Sequence, residues 1–277
     1  NVDVKRDIDV DKKMFTDDPQ DLFANDDIDI VIELLGGVEP AASFMLEALN
    51  HGKHVVTANK AAVAANYDKL LAAAEKNNVM IKYEASVGGG IPILNPLLTV
   101  LRGNEIESIM GILNGTTNYI LTQMTDFGLD FEAVLKTAQE KGFAEADPTA
   151  DVEGIDVANK LSILMAIAFD KYVKPQDIKT TGITGITKQD IENAKSKGAK
   201  IKLVAGAKKL ANGELEYEVG PMEIADDHPL ASVSNEFNAV FLKGNAVDEL
   251  MFYGKGAGPL PTGSAVVGDL IDIAQRI

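Results

Sequence analysis

The first hundred residues alternate short apolar runs with helical stretches, and each apolar run stops at glycines or at an Asn-Lys pair. Ile28-Asp29-Ile30-Val31-Ile32-Glu33-Leu34-Leu35 is a buried-strand run ended by Gly36-Gly37. A helix is expected from about Pro40 to Asn50, with proline in its first turn and Gly52 just past its end. His54 to Ala58 reads as a second strand, Asn66 to Asn77 as an Ala- and Leu-rich helix, and Val79 to Tyr83 as a third strand. Strands this apolar have no face to give to water. They belong in a parallel sheet covered by helices on both sides, which makes the expected class α/β with a Rossmann-like sheet.

Beyond Leu101 the pattern changes. Ile106 to Leu113 is a strand, and Asn114-Gly115-Thr116-Thr117-Asn118 leads into a helix. Phe131 to Glu140 and Asp156 to Phe169 are further helices, and Lys200 to Ala207 pairs with Leu215 to Val219 in a hairpin around Asn212-Gly213. Ala239 to Leu242 and Asp248 to Tyr253 add strands, giving an α+β unit with a mixed or antiparallel sheet. The tail is a Gly/Pro loop from Gly254, then an amphipathic helix from about Ser264 to Ile277. Two units meet near residue 100.

Composition removes several functions. Among 277 residues, 26 Lys and Arg face 42 Asp and Glu, a net charge of −16, and nucleic-acid binding wants a basic stripe instead. The nearest candidate, Lys195 to Lys209, reads as a solvated face. The longest apolar run, Leu161 to Phe169, is far shorter than the ~20 residues a membrane span needs. With no cysteine, disulfides, thiolate metal sites and cysteine nucleophiles are excluded. The mixed-charge start carries no secretory apolar segment, so the expected compartment is the cytoplasm. His51, His54 and His228 are too scattered to form a metal triad. No Walker A loop, G-x-S-x-G elbow or G-x-G-x-x-G turn is present.

In open parallel sheets, ligands bind beyond the carboxyl ends of the strands. Here those ends read Leu35-Gly36-Gly37, Thr57-Ala58-Asn59-Lys60 and Glu84 through Pro92. One glycine after a strand is an ordinary turn. Three such rims, with a cation at Lys60, point to a nucleotide or small-molecule site. Arg6-Asp7 closes a strand-like Val2 to Lys5, where an acid would favour NAD and an arginine NADP; a surface ion pair is the other reading. From Glu145 to Glu153, acids lead into a helix whose outer face carries Asp156 and Lys160, four residues apart and able to pair. Such a pair is either an exposed ion pair at a helix start or a lysine held beside a carboxylate as a proton donor.

Taken together, Val55 to Lys60, Glu84 to Pro92, Gly111 to Leu121, Glu145 to Lys160 and Gly254 to Thr262 closely resemble the homoserine dehydrogenase family, in the family's order along nearly the whole chain. The resemblance implies NAD- or NADP-dependent interconversion of L-aspartate 4-semialdehyde and L-homoserine, in threonine, methionine and isoleucine biosynthesis. It implies an NAD(P)-binding domain over 1–100, a catalytic and dimerisation domain over 101–253, and a return of 254–277 to the first domain. The family's first strand and Gly-rich loop are expected before Asn1, and a homodimer is the expected assembly.

By the same likeness Lys160 is the general acid, Asp156 holds and orients it, and Lys60 helps to polarise the substrate. Glu145, Asp151 and Asp156 bind substrate. Arg6, Gly36, Lys60, Gly142, Gly256 and Gly258 line the cofactor. Glu84, Val87, Gly89 and Ile91 supply oxygens, mostly main-chain carbonyls, to a monovalent cation, Na+ or K+. A neighbouring enzyme, aspartate-semialdehyde dehydrogenase, works through a cysteine thiolate, which this chain cannot do. Two alternatives stay open: a reductase of another small aldehyde, and a non-catalytic binding or dimerisation unit.

Overall fold

The computed structural model describes residues 10–277. The strand expected at Val2 to Lys5, with Arg6 and Asp7, lies outside the described residues.

A short helix α1 (Gln20–Phe23) precedes a three-stranded parallel sheet built from β1 (Ile30–Glu33), β2 (His54–Thr57) and β3 (Ile81–Lys82), in that order. Helices α2 (Ala41–Asn50) and α3 (Lys60–Lys76) connect the strands, and α4 (Leu94–Leu98) follows. Alternation along β2 sends neighbouring valines to opposite faces. Val55 joins the core formed with α2 and α3, whereas Val56 packs with Val266 and Ile273.

Those last two residues belong to α10 (Pro259–Ala274), so the final helix covers the second face of β2. It starts five residues earlier than the sequence suggests. Pro259 and Pro261 sit in its first turn, where a missing N–H breaks no bond. Helix α3 likewise begins at Lys60 instead of Asn66, because Asn59 is its cap; Asn66 is only a kink, with φ −127°. The run expected as a buried strand is narrower than its apolar stretch. Leu34 and Leu35 lie beyond β1 and are exposed by 62% and 49%.

The other unit is a five-stranded, wholly antiparallel sheet of β4 (Ile106–Ile112), β5 (Ala199–Lys209), β6 (Leu215–Ala225), β7 (Phe237–Gly244) and β8 (Asp248–Lys255), ordered β6-β5-β4-β7-β8. Helices α5 (Gly115–Phe127), α6 (Phe131–Glu140), α7 (Thr149–Val152), α8 (Ile155–Ala168) and α9 (Lys188–Ser196) lie between β4 and β5 in the chain. Ile109, Leu203, Ala205 and Leu242 point from the sheet into the same core as Leu161 and Leu164 of α8.

One surface assignment made from charge patterning is wrong, and another fails at a single residue, since Lys195, Lys197, Lys208 and Lys209 of the lysine-rich run are exposed. Asp156 and Lys160 do not ride an outer face: both are buried, because α8 is enclosed on nearly every side. Lys202, within the lysine-rich run, is only 2% exposed. Its ammonium donates to the Asn118 side-chain oxygen at 3.0 Å and the Val233 carbonyl at 2.6 Å, which is what permits its burial.

Candidate active site

Helix α3 packs on α8, and this packing sets the first residue of one beside the second residue of the other. Lys60 Nζ stands 3.0 Å from Asp156 Oδ1, while Lys160 Nζ is 2.7 Å from Asp156 Oδ2. The Lys160 ammonium also donates to the Leu113 carbonyl at 2.6 Å. Asn114 donates to Asp156 Oδ2 at 2.9 Å and to Asp151 Oδ1 at 2.7 Å. Burial alone would push the Asp156 carboxyl up, but the charges of Lys160 and Lys60 and the Asn114 amide hold it well below the usual carboxylate range. Burial also works against the charge on Lys60, and Asp156, Asp151 and Glu145 outweigh it, so Lys60 is raised.

A cleft of about 220 Å³ opens over this centre, lined by Lys60, Glu145, Asp147, Asp151, Asp156 and Asn159 among others. The structure therefore brings together Lys60, Glu145, Asp151, Asp156 and Lys160, expected from separate stretches of sequence. The cleft itself presents one cation, Lys60, among the carboxylates of Glu145, Asp147, Asp151 and Asp156, with Lys160 buried behind Asp156.

The rim of the parallel sheet is tied to this centre through Asn59. Its Oδ1 accepts from Ala62 N and caps α3, while Nδ2 donates to the carbonyls of Gly37 at 2.8 Å and Leu35 at 3.3 Å. Buried Glu33 holds the same loop from beneath, accepting from Leu35 N at 2.5 Å and Thr57 Oγ1 at 2.6 Å. At Gly36 a Cβ would meet nothing within 4 Å, so the loop leaves open room over the strand ends. That room, the exposed Leu34 and Leu35 beside it and the Lys60 cation fit a nicotinamide dinucleotide, which carries a flat ring and anionic phosphates. Gly142 follows α6 with φ +76° and equally open space.

The loop from Glu84 to Ile91 meets the one at Gly256. A Cβ on Gly89 would lie 2.5 Å from the Gly256 carbonyl oxygen, so only glycine allows this approach. Gly258, with φ +117°, opens α10. The Glu84 carboxylate is already committed, accepting from Ile93 N, Leu94 N and Asn95 N at the start of α4. A cation here would have to be met by main-chain oxygens. Among the described residues no group of three or more His, Cys, Asp or Glu is placed to hold a metal ion.

Asn114, Asn59 and Glu33 were not singled out by the sequence reading. Asn114 and Asn59 had a usable signal, since each stands between a strand end and a helix start, where a capping side chain is required.

A parallel sheet with an open rim is joined through Lys60 to a buried Lys-Asp pair in a second, α+β unit, a layout that sets a candidate dinucleotide rim beside a candidate acid-base pair. The family description "Homoserine dehydrogenase" matches residues 92–271, and "Homoserine dehydrogenase, NAD binding domain" matches residues 1–84. The chain belongs to the homoserine dehydrogenase family. It is 47% identical over 280 residues to the homoserine dehydrogenase of Synechocystis, covering 100% of this chain and 65% of that protein. It is 46% identical to the Bacillus subtilis enzyme, covering 99% of this chain and 63% of the relative. The crystal structure of a homoserine dehydrogenase from Thiobacillus denitrificans superposes with TM-score 0.91 at 47% identity, over 93% of this chain and 60% of that one. A hyperthermophilic archaeal homoserine dehydrogenase in complex with NADPH gives 0.82 at 30% identity, over 95% and 76%. The chain thus spans about 60 to 65% of the length of the first curated relatives. No helix among the described residues is long and apolar enough to cross a membrane.

Proposed function

We propose that this chain carries the interconversion of L-aspartate 4-semialdehyde and L-homoserine with NAD or NADP, as a cytoplasmic step of threonine, methionine and isoleucine biosynthesis. The observation that carries the reading is the buried ammonium of Lys160, held between Asp156 and the Leu113 carbonyl beside a cleft lined by Glu145, Asp151 and Lys60. When bound, the reduced nicotinamide supplies a hydride to the aldehyde carbon. As the carbonyl π pair moves onto oxygen, Lys160 gives up its proton there, so the product is the alcohol. Lys160, left as a neutral amine, is recharged from solvent; in the oxidation direction it takes the proton from the hydroxyl.

Lys60 faces the same oxygen with a second positive charge. An ammonium next to developing negative charge stabilises the transition state more than the neutral aldehyde. Asp156 keeps both lysines in place, and Glu145 and Asp151 take the substrate's ammonium group. Gly36, Lys60, Gly142, Gly256 and Gly258 line the cofactor. Main-chain oxygens of Glu84, Val87, Gly89 and Ile91 hold a monovalent cation, Na+ or K+; backbone carbonyls suit such hard ions. Residues 1–100 with 254–277 form the nucleotide-binding domain, and 101–253 the catalytic domain. That second domain pairs with its copy in a homodimer.

Substrate choice tests the assignment. In Glu145→Ala of the intact chain, kcat/KM for aspartate semialdehyde falls by about 100-fold, while slow turnover of simple aldehydes stays unchanged. Equal loss on both substrates contradicts the role of Glu145, and preference of the parent chain for a simple aldehyde contradicts the substrate.

A further inference from the structure

We propose that Asn114 is a positioning residue for the proton transfer: its side-chain amide ties Asp151 to Asp156 and so fixes the carboxylate that holds Lys160. The proposal rests on the reading of Lys160 as the proton donor.

Asn114 lies between β4 and α5 and is the N-cap of α5. A primary amide offers two N–H donors and one acceptor oxygen. Here all of them are used. The oxygen accepts from Thr117 N at 2.9 Å and Thr117 Oγ1 at 3.0 Å, while the nitrogen donates to Asp151 Oδ1 and Asp156 Oδ2. Capping alone does not call for asparagine, since serine, threonine and aspartate cap comparably. Only asparagine caps with its oxygen and still offers two donors to a pair of carboxylates.

The pair needs them. Asp151 on α7 and Asp156 on α8 both come within hydrogen-bond reach of one nitrogen, so two negative charges are held close together. Around Asp156, the charged groups are Lys160 on its own helix, Lys60 from α3 and Asp151 from α7, with Glu145 acting on Lys60. Lys160 shares Asp156 Oδ2 with Asn114. Without the amide, the Asp156 carboxylate is held by its two lysines alone, about a torsion that has no steep wells, and the Lys160 ammonium shifts with it.

The backbone supports the amide. Leu113, the preceding residue, accepts the second Lys160 bond through its carbonyl. Gly115, the following one, lies so near the Glu236 carbonyl oxygen that a Cβ would stand 2.8 Å from it. One three-residue turn therefore holds Lys160 directly and its carboxylate indirectly. Asn59 at the end of β2 works the same way toward the Gly37 loop, capping with oxygen and reaching out with nitrogen.

Asn114→Ser and Asn114→Asp keep the cap and remove the double donor. Both are measured in the intact chain beside Lys160→Met. The expected result is a drop in kcat of about 10- to 100-fold in each, with the cofactor KM unchanged. Homoserine binding, followed by calorimetry, weakens several-fold because Asp151 loses its donor. Parent-like kcat and homoserine affinity in both variants, with Lys160→Met inactive, overturn the positioning role and leave Lys160 standing. An active Lys160→Met overturns the reading beneath it.

Discussion

Asp156 is a carboxylate that the fold buries and yet keeps charged. Its two oxygens are met by two ammonium groups and an amide from three different parts of the chain. The i,i+4 spacing of Asp156 and Lys160 was legible in the sequence, and so was the possibility that they pair. Their burial was not, because acids clustered before a helix look like a solvated cap, and a helix enclosed all round has no amphipathic signature. Lys202 was hidden for a related reason. Its two acceptors, Asn118 and Val233, are 84 and 31 residues away in sequence. Burial pushes the Lys202 ammonium down to about 8. Between that value and the ordinary 10.5, the unfolded chain holds a proton that the folded one has released, so this group makes stability rise with pH across the window. In urea unfolding, the stability of Lys202→Met relative to the parent should therefore fall by about 3 kcal/mol between pH 7.5 and 10.5. A difference that stays constant with pH contradicts the burial of a strained ammonium.

At the scale of elements, the short segments after strands position the candidate site. Asn59 and Asn114 each end one such segment and start a helix, so the direction of the helix and the placing of the neighbouring lysine or aspartate are set together. The alternation of elements in the first hundred residues was readable from apolar runs and glycine stops. Helix starts were less so, since Asn66 is a plausible cap and only the kinked geometry shows that Asn59 is the real one. Contact between the Gly89 and Gly256 loops was not readable at all, being a meeting of backbones far apart in sequence. Gly89 has φ +56°, and its Cβ position is filled by the Gly256 backbone. Gly89→Ala should cost about 2 to 3 kcal/mol of unfolding free energy. Gly36→Ala, where space is open, should cost less than about 1 kcal/mol. Equal costs at the two positions contradict the close approach.

The whole molecule explains why the site is split. Lys60 comes from the parallel-sheet unit and Asp156 with Lys160 from the antiparallel one, and the packing of α3 on α8 joins them. Tyr172, just after α8, adds a second tie by donating to the Ala64 carbonyl of α3 at 2.7 Å and stacking on Tyr67. The chain then crosses back, and α10 closes the face of β2 that α2 and α3 leave uncovered. On the proposed reading, the proton donor Lys160 lies in one unit and the open cofactor rim in the other, so turnover requires both. The most direct measurement is turnover of aspartate semialdehyde by Lys160→Met in the intact chain, alongside cofactor affinity from the fluorescence of the reduced nicotinamide. With Lys160 as the proton donor, kcat falls by at least about 100-fold while cofactor affinity stays unchanged within a factor of about two. Turnover equal to that of the parent chain would contradict that role.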